Sequence, residues 1–531
     1  MGSAQTIEEG KAVMGLEFGS TRIKAVLIDE NYEVIAQGNH EWENRLKNGI
    51  WTYSEDDIWD GLRDAYADLA KDVKEKYGVV LRRVASMGFS AMMHGYLAFG
   101  RDDRLLVPFR TWRNSITGEA AEETTKAFQY NIPERWSIAH IYQAILNDEP
   151  HVKHVKFATT LAGFVHWKVT GEKVLGIGDA SGMFPIDPKT KDYDKAKVAI
   201  FDNMLAEENV PWKLEDILPK VLVAGQPAGT LTPEGAAIID PTGNLEAGIP
   251  LCPPEGDAGT GMVATNSVAK RTGNISAGTS IFGMVVLERE LKKVHKEIDL
   301  VTTPDGSLVA MVHANNCTTD LNAWVNIFEE YTRAMGMPVD KDKIFSVLYN
   351  KALEGEPDCG GILAYGHLSG ENIMGTSEGR PMVVRTPESN FSLANFMRAN
   401  IFTAFGALKI GMDILVNEEG VEIDSVLAHG GIFKTEGVAQ SILAAAINAD
   451  VSVMEGAGEG GPWGMAILAA YMSRKDPDEK LSNFLTNKVF ATARKSTLTP
   501  KPVDVKGFEE FTKRYADCID IEKKAIECLK A

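Results

Sequence analysis

Apolar residues fill positions 12–18, break at Gly19-Ser20-Thr21 and resume over 23–28, a pattern that predicts strand, small-residue turn and strand. Asp29-Glu30-Asn31 supplies turn chemistry before a third extended run over 32–38. The period then lengthens. Ile58, Leu62, Ala65 and Leu69 fall on one face of a helix, Ser54 with Asp57 three residues on gives a capped acidic start, and Gly78 is a suitable stop. A buried strand is predicted over 84–90, and strand–helix–strand alternation argues for a layered α/β domain. Further helices are predicted over 136–146 and 159–170, whereas 185–254, with many Pro and Gly, reads as loop-rich. Residues 273–283 repeat the opening pattern, with Gly278-Thr279-Ser280 as the turn and a strand over 281–287. A long amphipathic helix is predicted over 392–416 and a strand over 425–429 ending at Gly430-Gly431. Thr435 is placed as the cap of a helix reaching Asn448, and another helix over 461–473. Two strand–turn–strand units, each with Gly and Ser/Thr at the turn, point to two related lobes.

At roughly 150 residues per domain, 531 residues leave room for two large domains. Hydrophobic residues are 44% and charged residues 24%, with 49 Gly and 22 Pro, the profile of a globular chain rather than a disordered or fibrous one. Lys and Arg number 55 against 74 Asp and Glu, a net charge of −19 that disfavours nucleic-acid and anionic-membrane partners. Any phosphate must therefore be held by a local site. Five scattered cysteines form no CxxC pair, so neither a disulfide framework nor a zinc site is indicated, and a cytoplasmic location is expected. No stretch reaches the ~18 unbroken apolar residues of a membrane span, and the first residues lack the apolar segment of a signal peptide. Gly2 and Thr6 fit the loose N-myristoylation pattern, but an ordinary start is the reading adopted.

Familiar phosphate loops are missing: there is no GxxxxGK[ST] and no convincing GxGxxG between strand and helix. What remains are the two turns, Gly19-Ser20-Thr21 and Gly278-Thr279-Ser280. Each offers unobstructed backbone N–H groups and hydroxyls, the donors that phosphate oxygens need. Plain hairpin chemistry explains either turn alone; their pairing across two lobes favours the phosphate reading.

Gly15 to Thr21, the Gly278-Thr279-Ser280 turn and the strand ending Ala428-His429-Gly430-Gly431 occur in an order that resembles the sugar-kinase/hexokinase/actin ATPase superfamily. More narrowly, the chain resembles the FGGY carbohydrate kinases over nearly its whole length. Thr159 to Glu172 is similar to that family's first signature region, and Gly366-His367-Leu368-Ser369-Gly370-Glu371-Asn372 to its second. Ser90, Met93-His94-Gly95 and Asp179-Ala180-Ser181-Gly182 look like xylulokinases.

The resemblance implies an α/β fold of two actin/hexokinase-like lobes around an interlobe cleft. An N-terminal sugar-binding lobe is expected over 1–264 and a C-terminal nucleotide-binding lobe over 265–531. It implies that Asp257 is the base that accepts the sugar hydroxyl's proton as the P–O bond forms. ATP would be held by Gly19, Ser20, Thr21, Lys24, Gly278, Thr279, Ser280, Gly430, Gly431 and Lys434. Mg²⁺ would be organised through water by Glu17, with Asp257 nearby; the family usually has Asp where this chain has Glu17, and the extra methylene bears on metal geometry. Met93 and His94 would bind sugar, as would Trp112, Arg113 and Asp179. A lone His is more often structural, and Asp179 serves equally well as a turn cap. Trp112-Arg113-Asn114 departs from the xylulokinase Trp-Asn-Asp. Trp463 has two readings, adenosine contact or core packing. Arg22 and Lys24 supply either local positive field or the outward face of a hairpin.

The expected reaction is ATP-dependent phosphorylation of the terminal hydroxyl of a ketopentose, with D-xylulose favoured and L-ribulose next, then another ketose or polyol. A non-catalytic sensor or a structural ATPase on the same fold competes less well, because neither needs Asp257 and Met93-His94 together. The expected partners are a small-molecule sugar and, by the common default, a second copy in a homodimer.

Overall fold

Strand Val13–Phe18 pairs antiparallel with Arg22–Ile28 across the Gly19-Ser20-Thr21 turn, and Arg22–Ile28 pairs antiparallel with Val34–Glu41. The structure is a computed structural model and describes residues 2–208, 210–454 and 460–530. Helix Glu55–Tyr77 starts as its sequence requires: the Ser54 side chain accepts the Asp57 N–H while the Asp57 carboxylate accepts the Ser54 N–H. Ile58, Leu62 and Leu69 are at most 1% exposed, and burying each such side chain contributes roughly 1.5–3 kcal/mol. Strand Ser86–Ala91 then runs parallel to Val13–Phe18, and the short strand Glu255–Gly256 runs parallel to Ser86–Ala91 on its far side.

The chain folds as two compact units. The first comprises Met1–Val268, Asp299–Val309 and Gly458–Thr492; the second comprises Ala269–Ile298, Ala310–Ala457 and Ala493–Ala531. These units do not coincide with sequence halves cut at 264/265. Helix Gly461–Arg474 belongs to the first because it packs on Val13–Phe18, Ser86–Ala91 and Asp257–Ala264. Contact is backbone to backbone: a Cβ at Gly15 would collide with Pro462 and Ala466, and one at Gly464 with Thr260.

In the second unit, Thr272–Ala277 pairs antiparallel with Ile281–Val286 and parallel with Ser425–His429, which pairs parallel with Asp450–Met454. The two sheets thus repeat one local design, a hairpin whose first strand continues into parallel pairing. Helix Leu393–Asp413, capped by Ser392, is the core of this unit; Phe402 stacks on Phe508 with ring centres 4.2 Å apart. Leu393–Glu418 is long and apolar enough to cross a membrane, but 78% of its apolar window is buried inside the protein.

Residues 185–254 are loop-rich, as expected, with helices Lys195–Met204, Leu214–Ile217 and Pro233–Ile239 set among the loops. Here the polar and Pro residues are start signals, Asp194 accepting the Ala196 and Lys197 N–H groups and Thr232 accepting the Gly235 N–H with Pro233 at the first helical position. Thr435 is not a cap; Gly431–Lys434 forms a 3₁₀ turn first and the helix starts at Val438 after Gly437. The sequence reading also passed over helices Thr318–Ala334, Lys341–Ala352, Pro502–Asp517 and Ile519–Cys528.

Candidate active site

In the first unit's sheet, Glu17, Ser90 and Glu255 stand level on three parallel strands. Their carboxyl ends face one edge, where open α/β sheets bind ligands. Gly19-Ser20-Thr21, Met93-His94 and Asp257 all follow directly from those strand ends.

The first turn has its carbonyls occupied. Gly19 C=O accepts the Trp42 indole N–H at 2.7 Å and Ser20 C=O accepts the Tyr53 hydroxyl at 2.6 Å. Among the described residues, the Ser20 and Thr21 N–H groups have no protein acceptor. The second unit's turn is built alike. Gly278 C=O accepts the Thr318 N–H and hydroxyl at 3.1 and 2.7 Å, and Thr279 C=O accepts the Cys317 N–H at 3.0 Å. Among the described residues, Thr279 and Ser280 also have N–H groups without an acceptor. Acceptors tied back and donors left free make a concavity suited to an anion. Glu371, from the second signature region, braces this turn's flank by accepting the Asn315 and Asn316 N–H groups at 2.9 and 3.2 Å. Gly430 sits at φ 125° against the Ala277 carbonyl, where a Cβ would overlap it. Gly431 and Lys434 are exposed beside it.

Asp257 opens helix Asp257–Ala264 and is exposed to solvent. Its Oδ1 accepts the Met93 N–H at 3.2 Å and the Ala258 N–H at 3.0 Å. The protein mass around it raises its carboxyl above the ordinary value, against the pull of those amides. Glu17 is half-buried and its carboxyl is pushed up to about 8, first by removal from water and then by the Asp257 charge, with Lys24 opposing. Lys24 stands opposite Glu17 across the hairpin, while Arg22 pairs with Glu41 at 2.9 Å on the exposed face. Glu17 rests at the start of helix Gly461–Arg474, and a Cβ at Gly461 would overlap its Oε2.

His94 adopts φ 68°, is 6% exposed and stacks on Trp136 with ring centres 6.1 Å apart. Its Nδ1 lies 3.1 Å from Gly182 C=O. Burial, helped by the Arg135 charge, lowers its pKa to about 3, so the ring is neutral. A neutral ring that donates from Nδ1 to a carbonyl keeps its Nε2 lone pair for an incoming hydroxyl. Among the described residues Nε2 has no partner. Met93 is 5% exposed beside it.

Asp179 is fully buried and accepts the Thr160 hydroxyl at 2.6 Å through Oδ2; among the described residues its Oδ1 has no partner. Burial holds its carboxyl well above the usual range. It therefore neither caps a turn with its side chain nor stands open to solvent. Trp112 is 39% exposed, Arg113 lies over the Trp51 ring at 3.7 Å, and Asn114 fixes the Trp51 backbone with hydrogen bonds of 2.8 Å. Trp463 takes the packing alternative: its indole donates to Tyr32 C=O at 2.8 Å and meets Phe490 edge-on.

Sequence reasoning passed over Glu255 and Gly461. Glu255 is 1% exposed and its carboxyl is pushed up to about 8 by burial, against three backbone N–H groups. Its signal was a charged residue before Gly256-Asp257 in an otherwise apolar approach. Gly461 carried no local signal, because its role is contact with a residue 444 positions away (461 − 17).

No group of three or more His, Cys, Asp or Glu able to hold a metal occurs among the described residues. Glu17 and Asp257 do share one edge, and the charge of one raises the pKa of the other. A cation relieves that repulsion. Mg²⁺, which keeps most of its waters and uses one or two carboxylates plus substrate phosphates, fits such a pair.

The raised Glu17 gives a pH prediction. Glu17 holds, in the folded protein, a proton that the unfolded chain releases near the ordinary carboxyl value of 4.5. Its stabilising contribution is complete below that value and is lost as pH rises through about 8. Glu17→Gln, which cannot ionise, should gain in Tm relative to wild type as pH goes from 5 to 8. A Tm difference that stays constant or shrinks over that window would show that the carboxyl is not held neutral.

Two paired turns with free amides, each on a mixed α/β sheet, and a carboxylate at the carboxyl edge define a two-domain phosphotransferase of the actin/hexokinase-like fold. Comparison with known proteins narrows the class. Residues 12–264 match the N-terminal domain of the FGGY family of carbohydrate kinases, and residues 273–473 match its C-terminal domain. The chain belongs to this family. It is 21% identical to a xylulose kinase of Haemophilus influenzae over 94% of this chain and 98% of the relative. A ligand-bound xylulose kinase and a gluconate kinase, both from Lactobacillus acidophilus, each superpose with TM-score 0.77 at 15% identity, over 96% of this chain and 98% of theirs.

Proposed function

We propose that this carbohydrate kinase transfers the γ-phosphoryl group of ATP to the terminal hydroxyl of a ketopentose, D-xylulose above the alternatives. The observation that carries the reading is the placement of Asp257 and His94 at one sheet edge, with Met93 linking them through its N–H to Asp257. Asp257 takes the proton of the attacking hydroxyl; its exposure gives the substrate access, and its raised pKa makes it a better proton acceptor than a free carboxylate. His94 accepts a sugar hydroxyl at Nε2, and Met93 covers the apolar side of the carbon chain. The Ser20, Thr21, Thr279 and Ser280 amides receive phosphate oxygens. Glu17 and Asp257 would hold Mg²⁺, which would supply neutralisation of phosphate charge. The ketopentose reading is supported by Met93-His94-Gly95 and by likeness to xylulose kinases over nearly the whole chain.

A second reading rests on Arg113. Arg113 is exposed and lies three residues after Arg110, which forms an antiparallel bridge with Tyr96 close to the Met93-His94 segment. Among the described residues Arg113 has no carboxylate partner, only the Trp51 face. A cation so placed favours an acidic sugar such as an aldonate, the substrate class in the name of one structural neighbour. A coupled ADP-release screen over pentuloses, hexuloses, glycerol and gluconate decides: greatest kcat/KM on D-xylulose supports the first reading, and greatest kcat/KM on gluconate the second.

His94→Ala should raise the sugar KM about two- to tenfold, the equivalent of one hydrogen bond of roughly 0.5–1.5 kcal/mol to a neutral ligand. The ATP KM should hardly move. A destabilised variant with normal sugar KM would make His94 a core residue only.

A further inference from the structure

We infer that Glu255 is the positioning residue that sets the His94 imidazole against the Asp257 carboxylate. The inference rests on the roles proposed above for those two residues. The buried Glu255 side chain accepts the Gly178 N–H at 3.2 Å through Oε1, and the Asp179 and Gly256 N–H groups at 2.9 and 3.3 Å through Oε2. Two of those donors belong to the short helix Ile177–Ala180, which runs on to Gly182, whose carbonyl faces His94 Nδ1. The third donor lies directly before Asp257, which accepts the Met93 N–H. The result is a closed circuit: His94 to Gly182, along the short helix Ile177–Ala180 to Glu255, through Gly256 to Asp257, and back to Met93 beside His94.

Glycines make the circuit tight. A Cβ at Gly176 or Gly178 would intrude on the Glu255 carboxylate, and one at Gly182 would come within 2.7 Å of His94 Nδ1 and 2.9 Å of Met93 Cε. Ser181 adds a strut, its hydroxyl donating to Gly178 C=O at 2.5 Å and accepting the Thr302 N–H at 3.0 Å. A buried carboxylate is costly, and its three donors are all backbone groups of the two segments it joins. Both oxygens face N–H donors, so an amide at this position necessarily turns its NH₂ toward one of them.

The test is a double-mutant cycle of Glu255→Gln with His94→Ala on full-length protein, read as kcat, sugar KM and ATP KM. The His94 Nδ1–H is followed by NMR of ¹⁵N-histidine-labelled protein. The expected result for Glu255→Gln is a kcat about tenfold lower, a higher sugar KM and an unchanged ATP KM, since small misplacement of reacting groups costs up to about 10²-fold. The sugar-KM effects of the two substitutions should be less than additive, and the Nδ1–H resonance should shift or exchange faster. A folded Glu255→Gln protein with kcat and sugar KM within twofold of wild type and an unmoved Nδ1–H resonance would overturn the proposal. If His94→Ala alone leaves the sugar KM unchanged, the sugar reading fails instead, and the resonance still decides whether Glu255 orients the ring. If Glu255→Gln does not fold, Glu255→Asp, which keeps the carboxyl group but withdraws it by one methylene, carries the same cycle and the same criteria.

Discussion

Asp257→Ala should lower phosphoryl transfer by about 10²–10⁴-fold, the usual cost of removing a general base, while nucleotide binding stays measurable. The separation of effects follows from placement. Asp257 heads a helix in the first unit with only backbone donors on its carboxylate, from Met93 and Ala258. Among the described residues, the donor-lined Gly19-Ser20-Thr21 turn of the same unit makes no hydrogen bond to it. Calorimetric titration with ATP, beside a steady-state assay, reads both consequences. Activity within a few-fold of wild type would remove Asp257 from the mechanism.

The second large effect is expected at a residue with no reactive group. Gly461→Ala would set a methyl group where Glu17 Oε2 now lies. Because the obstructed atom is the end of a side chain, the backbone can stay in place while the carboxylate is driven aside. The fold should survive with a Tm close to wild type, and kcat should fall about 10²-fold, the cost of roughly 1 Å of misplacement near the reacting atoms. Titration of Mg²⁺ at saturating ATP should show a higher half-saturation concentration, as Glu17→Ala should also show. Normal kcat and normal Mg²⁺ dependence in a folded Gly461→Ala protein would mean that the position of Glu17 is immaterial.

The contrast between these two residues marks what a sequence can disclose. Asp257 is singled out in the sequence because it matches the position of the family's catalytic base and sits beside glycines just before the second turn, all of them local features. The same holds for helix Glu55–Tyr77, whose cap, apolar face and stop lie within 25 residues (54 to 78) and formed as expected. Gly461 and Glu255 act across the fold, one against a strand at the chain's start and the other against the short helix that holds Asp179. Neither partner can be paired by periodicity. Residues 185–254 illustrate a different loss: their helices are four to ten residues long, too short to show an apolar stripe, so their proline and capping residues read as loop. Asp179 shows a third. Its motif was plain, but the sequence could not show that it is buried and bonded to the Thr160 hydroxyl through one oxygen only.

The central claim is that the two donor-lined turns and Asp257 move a phosphoryl group from ATP to a sugar hydroxyl. Incubating the protein with Mg-ATP and D-xylulose and following the mixture by ³¹P NMR tests it most directly. The account predicts a new phosphomonoester resonance that grows in step with ADP, requires the sugar, and disappears in Asp257→Ala. ADP accompanied only by inorganic phosphate, at the same rate with and without any ketose, aldonate or polyol, would contradict it.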